Sequence, residues 1–87
     1  MAYNINYKKS VERDLSRLDK KEARRILDNI EKELSEHAEA YPALKGEFAG
    51  LRKMRVGNYR VIFSVINQNV IILRIGHRQA IYKKGIE

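Results

Sequence analysis

The chain has 87 residues, 44% of them hydrophobic and 33% charged, with a formal net charge of +7. That length holds a single domain, residues 1–87, and the composition is that of a globular rather than a disordered protein. There is no cysteine, which excludes disulfides, thiol catalysis and a Cys-ligated zinc site.

No apolar run follows the start, and none is long enough to span a bilayer. Neither a signal peptide nor a membrane segment is expected, and a cytoplasmic location is the default.

Tyr3-Asn4-Ile5-Asn6-Tyr7 alternates large apolar and polar residues, the pattern of a short, half-buried strand. Ser10 is placed to cap a helix N-terminus, and Val11, Leu15 and Leu18 then fall at helical spacing. Asp19 can end this helix and cap a second, with Glu22 completing an Asp-x-x-Glu start. The second helix is predicted from about Lys20 to about Ala38, with Ala23, Ile26, Leu27, Ile30 and Leu34 along one side. Pro42 disfavours helix at Tyr41, and Ala43 to Gly50 reads as a connecting loop.

Three strands are then predicted: Leu51–Val56, Tyr59–Ile66 and Val70–Ile75. Gly57-Asn58 supplies the first turn, because glycine accepts the positive φ of a two-residue hairpin. Asn67-Gln68-Asn69 supplies the second, and Gln79–Lys84 can form a terminal strand or turn. The predicted order is β-α-α-β-β-β. This is an α+β domain with an N-terminal strand and an αα-hairpin packed on one face of a mainly antiparallel sheet.

The charge is lopsided. Residues 1–50 hold ten Lys/Arg and ten Asp/Glu, whereas residues 51–87 hold eight Lys/Arg and only Glu87. Cations confined to one half, with no resident anions, point to an anionic partner.

Strand parity sorts the side chains. Met54, Val56, Tyr59, Val61, Phe63, Val65, Ile71, Leu73 and Ile75 fall on one face, expected to pack on the helices. Lys53, Arg55, Arg60, Ile62, Ser64, Ile72 and Arg74 fall on the other, joined by Arg78 if Gly76 keeps the register. This second face is expected to be a solvent-open cleft, since arginine is rarely buried without a partner.

Cleavage of a phosphodiester needs stabilisation of charge on the phosphoryl oxygens, a base for the attacking hydroxyl and an acid for the leaving oxygen. Arginine offers paired donors for the first. Lysine serves as base when neighbouring cations depress its pKa, and tyrosine stacks on a base or donates a proton. Lys53, Arg55, Arg60, Arg78 and Tyr82 together offer that inventory without a metal. RNA is the better substrate than DNA because its 2′-hydroxyl is an internal nucleophile. Arg52, Arg74, His77, Lys83 and Lys84 are further candidates for RNA binding.

Plainer roles stand beside these. A cation cluster is more often a binding or solvated face than a catalytic site. Arg52 and Lys53 are adjacent and point oppositely. Arg60 can bond a loop carbonyl or Glu47, and Arg74 can pair with a helix carboxylate. Tyr59 fits a core, and Tyr82 can cover an open sheet end. His77 fits a structural hydrogen bond and is not expected to meet His37. No His/Asp/Glu spacing suggests a metal site, and neither a Gly-rich phosphate loop nor a Ser-His-Asp set stands out.

Leu44-Lys45-Gly46, Arg55-Val56-Gly57-Asn58-Tyr59-Arg60, Ile75-Gly76-His77-Arg78 and Tyr82, in this order of elements, resemble the RelE/ParE superfamily of type II toxins, and RelE-like members in particular. The resemblance covers nearly the whole chain. It implies a ribosome-dependent mRNA interferase that cuts mRNA in the A site through the 2′-hydroxyl, needing no metal or other cofactor. It also implies a cognate RelB-like antitoxin. Carried over by position, the working residues fall on Lys53, Arg55, Arg60, Arg78 and Tyr82. One of the two alternating lysines of the RelE pattern is Leu51 here, which leaves Lys53 as the implied base. The spacing from Arg78 to Tyr82 is also shorter than in that pattern. The superfamily also contains ParE-like inhibitors of DNA gyrase, and a catalytically silent RNA-binding relative is a third possibility.

Overall fold

The computed structural model describes residues 2–77. Among these residues four strands form one sheet: β1 (Asn4–Tyr7), β2 (Arg52–Val56), β3 (Tyr59–Ile66) and β4 (Asn69–His77), in the order β1-β4-β3-β2. β2, β3 and β4 are an antiparallel meander, and β1 lies parallel to β4. Between β1 and β2 come α1 (Lys9–Ser16) and α2 (Lys20–Asn29), and the helical path runs on through a π-helical segment (Ile30–Leu34) to Ala40. The predicted α+β order is the observed one.

The π-helical segment has a packing reason. Ile26, Ile30, Leu34 and Ala38 are all fully buried, and each is four residues from the last. In a pure α-helix that spacing drifts by roughly 40° per step. A turn with more residues per revolution brings the stripe back over the sheet. The stripe and Val11 of α1 pack on Met54, Val56, Val61, Phe63, Val70, Ile72 and Ile75. Burying each such side chain stabilises by about 1.5–3 kcal/mol.

The two hairpins use different residues for one task. Gly57 has φ 60° and Asn67 has φ 56°, and asparagine is the non-glycine residue that best tolerates this region. The second turn is one residue shorter than expected, because Asn69 already pairs with Ile66.

One face assignment is corrected. β4 carries a bulge: Ile62 pairs with Arg74 but Phe63 pairs with Ile72, which leaves Leu73 as an extra residue. Parity therefore changes along β4. Val70 and Ile72, rather than Ile71 and Leu73, enter the helix-side core, while Ile75 does so as expected.

Beyond Tyr7, α1 takes over the outer edge of β4, which has no further strand beside it among the described residues. The Lys8 N–H donates to the Ile72 carbonyl at 3.0 Å, and Ser10 Oγ donates to the Leu73 carbonyl at 2.8 Å. The Ile75 N–H donates to Asp14 Oδ2 at 2.9 Å. Ser10 thus binds the sheet instead of capping α1, whose N-cap residue is Lys8. Asp19 does occupy the N-cap position of α2, but its side chain makes no capping bond.

At the other edge, the Lys53 N–H donates to the Pro42 carbonyl and the Leu44 N–H to the Leu51 carbonyl. The loop after the helices therefore covers the start of β2.

Candidate nucleic-acid interface

The face turned away from the helices is built by the register of β2, β3 and β4. Arg55 stands directly opposite Arg60, Lys53 opposite Ile62, and Arg60 opposite Gly76. Opposed Cβ atoms in an antiparallel pair are roughly 4.5–5.5 Å apart, and like charges there repel. Gly76 brings no side chain to the space beside Arg60. Lys53, Arg55 and Arg60 therefore share one patch of this face.

The patch is less open than the sequence suggests. Ile62 is fully buried although it lies outside the helix-side cluster. Arg60 is half-buried with a shielded Nε, Lys53 is half-buried, and Arg55 is exposed. Among the described residues, neither Lys53 nor Arg55 has a carboxylate within ion-pair distance.

Other cations of this half go elsewhere. Arg74 reaches Asp14 with two bonds, Nε to Oδ2 at 2.9 Å and Nη2 to Oδ1 at 3.0 Å. This is the helix-carboxylate pairing that the sequence left open. Arg52 Nη1 donates to the Tyr41 carbonyl at 2.6 Å and to the Glu39 carbonyl at 3.2 Å, so its charge closes the C-terminal end of the helical run. His77 pairs with Tyr59, whose ring it meets edge-on at 5.9 Å. By register both belong with Val61 and Ile75, not with Arg60. Arg78, Tyr82, Lys83, Lys84 and the rest of the Gln79–Lys84 segment lie outside the described residues.

Asp14 went unread in the sequence although a signal was present. It sits three residues after Val11 on the apolar stripe of α1, where a carboxylate needs a buried partner. Three tyrosine–glutamate bonds were also missed. Tyr3 donates to Glu39 and Tyr7 to Glu31, both at 2.6 Å, and Tyr41 donates to Glu33 at 2.8 Å. The Glu39 hydrogen bond, aided by burial, raises the Tyr3 pKa. Burial, then Glu31, raises Tyr7. Burial, then Glu33, pushes Tyr41 up to about 12.

Among the described residues, no group of three or more His, Asp or Glu side chains is placed to hold a metal ion. No helix among them is long and apolar enough to cross a membrane.

A small domain with a helical hairpin behind a cation-bearing meander is the architecture that the comparisons find in other proteins. Residues 5–82 match the family described as ParE toxin of type II toxin-antitoxin system, parDE. Among solved structures, the chain is similar to one in the RelBE2 toxin–antitoxin complex from Mycobacterium tuberculosis, with 27% identity and a TM-score of 0.82. That match covers 90% of this chain and 93% of the other. It is also similar to one in the archaeal RelE–RelB complex from Pyrococcus horikoshii, at 31% identity and a TM-score of 0.69, covering 93% of this chain and 100% of that one. A chain of the ParDE system of P. aeruginosa shares the fold at 18% identity and a TM-score of 0.68, covering 87% of this chain and 96% of the other. No curated protein sequence matches. The chain belongs to the RelE/ParE superfamily of toxins from type II toxin–antitoxin systems.

Proposed function

We propose that this toxin is a ribosome-dependent mRNA interferase. The observation that carries the reading is the shared patch of Lys53, Arg55 and Arg60 on the sheet face away from the helices. A phosphate held there meets two guanidinium groups and one lysine side chain.

In this reading Arg55 and Arg60 neutralise the phosphoryl oxygens as charge builds on them. Lys53 Nζ acts as the base that takes the proton of the 2′-hydroxyl. The 2′-oxygen then attacks the adjacent phosphorus, the bond to the 5′-oxygen breaks, and a 2′,3′-cyclic phosphate remains. Tyr82 stacks on the neighbouring base or supplies the proton that the leaving 5′-oxygen takes up, and Arg78 adds a further cation. Both are assigned by the motif they share with RelE-like toxins. Arg52, Arg74 and His77 are already engaged within the fold and would at most support the site, while Lys83 and Lys84 add phosphate contacts. The action is intracellular, on translating ribosomes, and a RelB-like antitoxin is the cognate partner. The RelB-bound relatives from M. tuberculosis and P. horikoshii support that partnership.

The match to the ParE description favours one competing reading, inhibition of DNA gyrase. A purified translation system separates the two. Ribosome-dependent breaks within codons of the message support the interferase. Intact message together with loss of DNA supercoiling in a gyrase assay supports the other. Intact message with retained RNA binding and no effect on gyrase would mark a catalytically silent relative.

A further inference from the structure

One side of α2 carries a charge order that the helix itself does not favour. Lys20, Ala23, Arg24, Leu27, Asp28 and Glu31 recur at steps of one, three and four residues and share one face. The cations stand toward the N-terminal end of that face and the carboxylates toward the C-terminal end. The helix dipole favours the reverse.

The four charged residues are exposed, whereas Ala23 and Leu27 are half-buried. Arg24 and Asp28 are four residues apart, close enough to pair along the helix. Yet among the described residues none of Lys20, Arg24, Asp28 or Glu31 lies in an ion pair. Leu27 lines two open hollows. One, of about 400 Å³, is bounded by the charged residues Lys20, Arg24 and Asp28. The other, of about 370 Å³, has Val11 and Leu15 of α1 in its wall and Tyr7 and Glu31 beside them. An apolar strip with charges of both signs along it thus faces outward.

This face is complementary to itself. Turned end for end against a second α2, with a two-fold axis between Arg25 and Ile26, Lys20 comes opposite the second copy's glutamate at 31. Arg24 comes opposite its leucine at 27 and next to its aspartate at 28. The axis makes every such contact twice. We infer that this face of α2 pairs two copies of the chain in antiparallel fashion. Exposed ion pairs add little affinity. Burial of Ala23 and Leu27 therefore holds the copies together, and the charges set the direction, since a parallel arrangement would bring like charges together. A contact of one helix face falls at the small end of specific interfaces, so the pair exchanges with monomer. Lys53, Arg55 and Arg60 lie on the sheet face turned away from the helices, and both patches stay clear.

The test is sedimentation velocity of the whole chain over a concentration series, with circular dichroism to check each fold. The wild type should pass from monomer to dimer. Arg24→Glu sets two carboxylates against each other across the axis, and Asp28→Arg sets two guanidinium groups. Both leave the bond from Tyr7 to Glu31 in place. Each variant alone should associate at least about tenfold more weakly than the wild type. Their equal mixture should regain association, because the mixed pair has opposite charges at both contacts. Leu27→Gln should abolish it. A wild type that stays monomeric throughout would overturn the inference. So would a dimer that neither charge variant weakens, or two weakened variants whose mixture fails to recover. A monomeric chain whose binding to a RelB-like partner is lost in Leu27→Gln would assign the face to that partner instead.

Discussion

Asp14 and Arg74 form a two-bond ion pair across the edge of the sheet, at 2.9 and 3.0 Å, and the same carboxylate accepts the Ile75 N–H. The pair satisfies a peptide group on the outer edge of β4, past the end of β1. It also turns Arg74 away from the face that carries Lys53, Arg55 and Arg60.

Removing one partner therefore leaves a charge and a peptide group stranded. Asp14→Ala should cost about 3 kcal/mol of stability, read as a lower urea midpoint. The double variant with Arg74→Ala should cost less than the sum of the single variants. Strict additivity would mean that the pair contributes no coupling.

Arg55 and Arg60 face each other across β2 and β3, an arrangement that opposes folding. Arg55→Gln should leave the domain as stable or stabilise it by up to about 0.5 kcal/mol, while relieving growth inhibition in cells. Urea denaturation and colony counts measure the two effects. A destabilised Arg55→Gln protein would show that this arginine supports the fold.

The tyrosines set an alkaline limit. Tyr3, Tyr7 and Tyr41 have pKa values raised above the ordinary 10, with Tyr41 at about 12. A raised folded-state pKa means that the folded chain holds the phenolic proton more tightly than the unfolded one. The stabilisation is complete below pH 10 and lost as pH rises through the folded values. Unfolding followed by circular dichroism should show stability falling above about pH 10. Tyr41→Phe should flatten part of that fall and cost about 1 kcal/mol at neutral pH through the lost bond to Glu33.

Gly57 is constrained twice, by φ 60° and by Arg25 lying over it. Gly57→Ala should destabilise by about 1 kcal/mol. Most of the loss should persist when Arg25→Ala clears the space, because the backbone strain remains. Full rescue by Arg25→Ala would make the clash, rather than the backbone, the cause.

Periodicity and turn chemistry made most of the architecture readable. β3 begins and ends at Tyr59 and Ile66 as read, and the Gly57-Asn58 turn lies where glycine demanded it. β4 resisted because Val70-Ile71-Ile72-Leu73 is apolar at every position. Such a run has no alternation to mark where the register slips, so the bulge at Leu73 was invisible. The shared placement of Lys53, Arg55 and Arg60 followed from parity on strands without a bulge. The fates of Arg52 and Arg74 depended on carbonyls and a carboxylate distant in sequence, which no local pattern encodes.

The parallel pairing of β1 with β4 joins the earliest strand to the latest of the described sheet. While the chain is being made, Tyr3, Ile5 and Tyr7 must wait for Asn69–Ile72 before they have a place to settle. Such distant closure folds late. The domain is thereby incomplete until nearly all of it has left the exit tunnel, which gives an antitoxin already present time to meet it.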